Sequence, residues 1–226
     1  MIWEDECYLL TKRKFRENAM IINIFTSKRG KVTGIVYGGS SRKIRNYLQI
    51  SNKLYVLHNS KNENKLGYLK TELIEAISPV YFNDKRRSSA LISACNLLNN
   101  LLPEAQPNKN TYLSFQHLLK NLNMTNWIAQ YIFFELSLIK ELGYDANLNS
   151  IVKSVSNTSE ITKFKIDGYL YEIPNFLILN KLPDNIDFKL IKKSLKFTRS
   201  IFLNKFFIPN NLKFPDMRVL FESYFN

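Results

Sequence analysis

TKRKFRENAMIINIFTSKRGKVTGIVYGG, residues 11–39, decides the fold. Residues 19–27 are dense in Ile and Phe, and residues 31–38 in Val, Ile and Tyr, the composition of β-strands. Between them Ser27-Lys28-Arg29-Gly30 has the makeup of a hairpin turn, with Gly30 suited to a positive φ. Working outward, residues 7–15, 50–58 and 65–77 share the same enrichment, several with alternation of apolar and polar positions. Gly38-Gly39 closes the third segment, and Asn62-Glu63-Asn64 marks another turn. Five short strands joined mostly by tight turns point to a small closed barrel over residues 1–80. An OB-type barrel is the expected form, although composition alone does not separate it from an SH3-like one.

Beyond residue 80 the period changes. Leu91, Ala94, Cys95, Leu98, Leu101 and Leu102 share one face of a helix that stops before Pro103. Tyr112, Phe115, Leu118, Leu119 and Leu122 mark a second. Residues 126–142 are apolar on nearly every side, which predicts a buried helix ended by Gly143. Residues 145–185 read as an irregular insert, with a possible hairpin turn at Asp167-Gly168. A fourth helix is predicted from the N-cap Asp187 to Phe207, and a last short one from Pro215 to Tyr224. The fold class is therefore mixed: an N-terminal five-stranded OB-type barrel, 1–80, followed by an α-helical domain, 81–226.

Composition narrows the function. The 226 residues include 32 Lys+Arg against 19 Asp+Glu, a net charge of +13. No apolar run approaches the ~20 residues of a membrane helix. The opening Met1-Ile2-Trp3-Glu4-Asp5-Glu6 is acidic where a signal peptide is basic. Two cysteines, Cys7 and Cys95, allow neither a disulfide scaffold nor a four-thiolate zinc site. These readings give the expectation of a cytoplasmic, reduced protein with an anionic partner, no membrane, no cofactor and no metal.

Catalytic constellations are sparse. His58 and His117 are the only histidines, and neither has a carboxylate or thiol at useful local spacing. Glu4-Asp5-Glu6 has the composition of a metal-nuclease cluster, but hard cations need oxygens converging from several elements. Cys7 and Cys95 read as small core residues. No phosphate-binding glycine motif is present; Gly38-Gly39-Ser40-Ser41 is too short for one.

What stands out is charge. Residues 11–45 hold ten cations and a single acid, Glu17. The cations form three clusters: Lys12, Arg13, Lys14 and Arg16; Lys28, Arg29 and Lys31; Arg42, Lys43 and Arg45. Solvated surfaces usually interleave both signs, so this block is read as a phosphate-binding surface. Tyr37 and Tyr47 lie among the clusters as candidate base-stacking rings, whereas Phe15 is expected in the core. On the fourth helix Lys189, Lys192, Lys193, Lys196 and Arg199 recur at three- and four-residue spacing. That basic stripe suits nucleic acid, an acidic peptide or water.

The string Arg13-Lys14-Phe15-Arg16-Glu17-Asn18-Ala19-Met20-Ile21-Ile22-Asn23-Ile24-Phe25-Thr26 resembles the opening of the RecO family of recombination mediators. So does its continuation: Gly30, Lys31-Val32, Gly38, then a Ser/Arg/Lys loop into Leu48-Gln49. Phe134-Glu135-Leu136 with Leu142-Gly143-Tyr144 looks like that family's F-E-L-x-L-L-x-x-L-G-[YF] helix, and Lys196-Phe197-Thr198-Arg199 resembles a further family segment. The resemblance implies an OB barrel with a helical domain and an activity without turnover chemistry. It implies binding of single- and double-stranded DNA, annealing of complementary strands, and action with RecR to load RecA onto strands coated by single-strand binding protein (SSB). It also implies capture of SSB's acidic, Phe-ended tail, for which Lys192, Lys193, Lys196 and Arg199 are the candidates here. Two departures stand out. Residues 145–185 lack the four zinc cysteines of some members, and Ile132-Phe133 stands where some relatives carry Arg. A basic adaptor that mainly captures acidic protein tails is the alternative reading.

Overall fold

The computed structural model describes residues 1–61, 66–155, 159–166, 168–183 and 185–225. The expected turn at Asn62-Glu63-Asn64, the start of the fifth strand at Lys65, and Asp167 lie outside them. The chain divides into two compact units, Met1–Leu113 and Ser114–Asn226.

The first unit is built on strands β1 (Ile2–Arg16), β2 (Ala19–Thr26), β3 (Gly30–Tyr37), β4 (Lys53–Asn59) and β5 (Gly67–Glu75), with helix α1 (Arg42–Tyr47) between β3 and β4. They close in the order β1-β2-β3-β5-β4, an OB-like barrel. β1 is long enough to pair with β4 through its first half and with β2 through its second. Alternation sends Cys7, Leu9, Ile22, Ile24, Val36, Leu54, Val56 and Leu69 into the barrel, and Leu48 joins them. Closure rests on a short parallel pairing of β3 with β5, Gly34↔Gly67 and Ile35↔Tyr68. A Cβ at Gly34 would lie 2.5 Å from Leu69 Cδ1, and one at Gly67 2.0 Å from His58 Nε2, so glycine at both positions leaves room for these side chains. Gly30 has φ +68°, as its turn position predicts.

Three details differ from the sequence-based expectation. β1 starts at Ile2, so Glu4-Asp5-Glu6 is strand, and successive acids point to opposite faces. Glu6 pairs with Lys53 at 2.5 Å. Residues 42–47, expected as loop, form α1, whose N-cap Ser41 accepts from the Ile44 amide at 3.4 Å. Phe15, expected in the core, is exposed: the register slips between Lys14 and Arg16, and that irregularity leaves the ring outside.

Helix α2 (Lys85–Leu101), capped by Asp84, packs on the outside of β1, with Cys95 directed at the Leu9 carbonyl. Helix α3 (Lys109–Asn121) follows; its Tyr112 lies against Tyr8 and Phe25. The second unit contains α4 (Trp127–Glu141), α5 (Leu148–Ile151), a hairpin of β6 (Ile161–Ile166) and β7 (Tyr169–Pro174), α6 (Asn175–Ile178), α7 (Phe188–Phe202) and α8 (Asp216–Ser223). Asp187 caps α7 through the Leu190 amide at 2.7 Å, as expected. Gly143, at φ +93°, ends α4 as expected. The segment read as irregular, 145–185, is more ordered than that. Its hairpin pairs Ile161↔Pro174 through Ile166↔Tyr169 and docks Tyr171 edge-on against Phe197 of α7.

An ion network fastens α4, α7 and α8. Arg218 and Glu135 are both fully buried, joined by Nε–Oε1 at 2.5 Å and Nη2–Oε2 at 3.1 Å. Thr198 donates to Glu135 at 2.6 Å, and Arg218 also reaches Glu222 at 3.0 Å and the Leu195 carbonyl at 3.0 Å. Replacing Arg218 with Ala leaves Glu135 buried and unpaired. We expect a loss of about 3–5 kcal/mol in urea unfolding followed by circular dichroism. Replacing both Arg218 and Glu135 with Leu should cost less than that single change.

Candidate nucleic-acid interface

β-pairing gathers three pieces of backbone at one end of the barrel. Arg16 pairs with Ala19 across the β1–β2 turn, and Ala19 pairs with Tyr37 at the end of β3. The Gly38 amide donates to the Asn18 carbonyl at 2.8 Å, and the Ser41 amide to the Gly38 carbonyl at 2.8 Å, which seats α1 beside that turn. Arg13, Lys14, Arg16, Arg42, Lys43 and Arg45 are all exposed on these elements. None forms an ion pair among the described residues, and the β1–β2 turn adds the exposed acid Glu17, so six cations share this end with a single carboxylate.

Two aromatic rings accompany them. Tyr37 and Tyr68 stack at 5.0 Å with planes 27° apart, and both are about half exposed. A hydrogen bond to Tyr68 raises the Tyr37 phenol pKa, opposed by the positive charge of Arg16. Tyr37 was a sequence candidate, but Tyr68 was not. Only the β3–β5 seam brings it alongside Tyr37. Tyr47 is committed elsewhere, donating to the Thr71 carbonyl at 2.6 Å.

The remaining cations divide differently. Lys12 donates to the Leu48 carbonyl at 2.6 Å and to Gln49 Oε1 at 3.0 Å, tying β1 to the residues after α1. Burial, and secondarily the charge of Arg45, lowers its pKa. Lys28 and Arg29 sit in the β2–β3 turn at the far end of the barrel, roughly 23 Å away along an eight-residue strand at ~3.3 Å per residue. The Arg29 guanidinium lies 4.9 Å from the Trp3 ring centroid. Lys31 is largely buried, bonded to the Asn99 carbonyl at 2.7 Å and 3.7 Å from Glu104. Of the ten cations read from sequence, six form one surface, two stand at the opposite pole and two are structural.

The stripe on α7 is similarly divided. Lys193 is ion-paired to Glu172 of β7, and Arg199 lies 3.5 Å from Glu222 and 6.0 Å from the Phe214 ring centroid. Lys192 is half-buried and Lys196 exposed, neither with an ion-pair partner among the described residues. Lys196 borders a cleft of about 320 Å³ floored by Leu170, Tyr171 and Phe197 and edged by Lys163. The rim of this cleft, between α7 and the β6–β7 hairpin, is mixed: Glu172 also lines it, ion-paired to Lys193 and 3.9 Å from Lys163, which leaves Lys196 as its cation with no ion-pair partner among the described residues.

The two cysteines are core residues. Burial raises the Cys7 and Cys95 thiol pKa values, with Asp5 and Glu6 adding to the effect on Cys7. His117 is exposed on α3. Among the described residues no three His, Cys, Asp or Glu side chains converge as metal ligands, and no helix is long and apolar enough to cross a membrane. The division of the cations has a direct check. Lys12→Ala should lower stability by about 1.5–3 kcal/mol, the value of charge-assisted hydrogen bonds such as its amine makes. Arg13→Ala and Lys14→Ala should leave the thermal midpoint within error.

Two family descriptions fit this architecture in chain order. Recombination protein O N terminal matches residues 1–77, the five strands and α1, and Recombination protein O C terminal matches residues 83–172. The chain is also 29% identical to the DNA repair protein RecO of Wolbachia pipientis wMel, over 99% of this chain and 100% of that protein. The DNA repair protein RecO of Ruegeria sp. strain TM1040 is 32% identical over 66% of this chain and 63% of its own. That of Caulobacter vibrioides strain NA1000 is 30% identical, covering 66% and 62%. The barrel, the helices that follow it and the full-length match agree, and the chain belongs to the RecO family.

Proposed function

We propose that this protein is a DNA-binding recombination mediator of DNA repair that binds single and double strands and anneals complementary ones. The observation that carries this reading is the barrel end with six unpaired cations beside the exposed Tyr37–Tyr68 stack. Each Lys or Arg that neutralises a phosphate releases condensed counterions, and that entropy drives binding irrespective of sequence. The same neutralisation lowers the repulsion between two strands and lets complementary segments meet. Exposed rings hold unpaired bases by stacking, worth ~1–3 kcal/mol per base. No described element presents a row of side chains for reading base edges, so sequence preference is slight.

The family resemblance supplies the partners: RecR, and through it loading of RecA onto SSB-coated DNA, in the cytoplasm at the nucleoid. The cleft beside Lys196 fits an acidic peptide ending in an aromatic ring, the chemistry of an SSB tail. That cleft also supports the second reading, in which the protein is chiefly an adaptor for acidic tails.

Changing Arg42, Lys43 and Arg45 together to Ala should weaken unrelated DNA sequences alike. The slope of log K against log salt should shrink by about 0.7–0.9 per lost phosphate contact. Unchanged affinity and slope in the folded variant would leave the adaptor reading standing alone. For the tail, Lys192→Glu with Lys196→Glu should abolish binding of an acidic, Phe-ended peptide in a fluorescence titration. The melting temperature of Lys196→Glu alone should barely move, since Lys196 is exposed and exposed charges contribute little to folding. Parent-like peptide binding would remove this cleft as the tail site.

A further inference from the structure

At the pole of the barrel opposite the six cations lies an open cavity of about 680 Å³. Trp3, Lys28, Arg29, Val32, His58 and Leu66 are among its walls, and the Lys28 amide donates to Asp5 Oδ2 at 3.4 Å. Its chemistry is unlike that of a packing defect. The His58 imidazole stacks on the Trp3 indole at 4.6 Å and 13°. His58 is 8% exposed, and its Nδ1 is buried with no hydrogen-bond partner. Burial, then the charge of Arg29, lowers the His58 pKa and keeps the ring neutral at pH 7, able to accept or donate. Arg29 lies over Trp3 without an ion pair among the described residues. The one carboxylate in the wall, Glu104, is engaged by Lys31 and by Thr33 at 3.0 Å.

We propose that this cavity is a second nucleic-acid site, which takes one unstacked nucleobase of a bound single strand against Trp3, with its phosphate on Arg29 and Lys28. The inference rests on the DNA-binding reading above and adds to it a base pocket distinct from the Tyr37–Tyr68 surface. An apolar wall with an indole suits a flat heteroaromatic ring. Every base has a π-face to lay on the indole, so the pocket need not select among bases. Arg29 exchanges the indole for a phosphate, a move open to a turn residue with no acidic partner. Placement agrees: Val32 and Thr33 of the cavity wall lie on the same strand as Tyr37, and Gly67 adjoins Tyr68. A strand following the β3–β5 seam therefore passes from the stacked tyrosines to the cavity. Duplex DNA, whose bases are paired, has nothing to insert.

Trp3 reports on its own pocket. The chain holds only one other tryptophan, Trp127, so a Trp127→Phe variant leaves Trp3 as the single indole emitter. Three probes of equal length are titrated: oligo-dT, an abasic strand with the same phosphates, and a duplex. Oligo-dT should quench Trp3 emission, whereas the abasic strand and the duplex should bind without quenching. Trp3→Leu should weaken oligo-dT about 5- to 150-fold, the range for one stacked base, and leave the other two unchanged. Equal quenching by all three, or none by oligo-dT while it binds, would overturn the pocket and leave the DNA-binding reading intact. Failure of the parent protein to bind any of the three would remove both. The quenching arm uses native Trp3, so it decides the matter even if Trp3→Leu does not fold.

Discussion

Among the described residues, two pairs, Gly34↔Gly67 and Ile35↔Tyr68, join β3 to β5 and close the barrel, and the surfaces of the first unit depend on them. Parallel pairing is slanted and slightly weaker per residue than antiparallel pairing, so so short a seam needs very close backbone approach. Glycine at both opposed positions also clears room for neighbouring side chains. The Leu69 side chain takes the space over Gly34, and His58 takes the space over Gly67. That approach turns Tyr68 outward beside Tyr37 and sets Gly67 in the cavity wall beside His58. One steric requirement thus shapes both the stacked tyrosines and the pocket around Trp3.

The second unit depends on a different kind of constraint. Glu135 and Arg218 sit at 0% exposure, where desolvation consumes most of the attraction between opposite charges. What remains is directional. Arg218 must meet Glu135, Glu222 and the Leu195 carbonyl at once, while Thr198 meets Glu135. Few rotations of α4, α7 and α8 satisfy all four groups. An all-apolar interface among these helices would lack such directional contacts. The stripe on α7 therefore keeps its orientation toward the β6–β7 hairpin, where Lys193 finds Glu172.

Strand alternation and turn chemistry made β2, β3 and the turn at Gly30 legible from residues 19–38, and the capping residues Asp187 and Gly143 marked real helix ends. The seam was not legible, because a pairing between residue 34 and residue 67 leaves no local pattern. α1 escaped for a related reason: six residues complete fewer than two turns and show no period. Glu135 was hidden inside a helix read as apolar on nearly every side; only its partner Arg218, 83 positions away, explains its burial. For the cations, sequence shows sign and spacing but not partners. Lys12 and Arg13 are neighbours in one cluster, yet one amine is tied to backbone and the other side chain is exposed. Lys31 and Lys193 were likewise indistinguishable from free lysines until Glu104 and Glu172 came beside them. The basic block was visible from composition, whereas its separation to two poles follows from strand length.

That separation has a kinetic meaning. Six unpaired cations at one pole give the barrel a lopsided field, and a polyanion diffusing nearby is turned toward that pole before contact. Encounter rate is then governed by long-range attraction and falls as ions screen it beyond a Debye length of ~8 Å at physiological ionic strength. Residence time is governed by short-range contacts such as ring stacking, which salt hardly touches. Capture and release of a strand by this fold are thus controlled by separate groups, so one can change without the other.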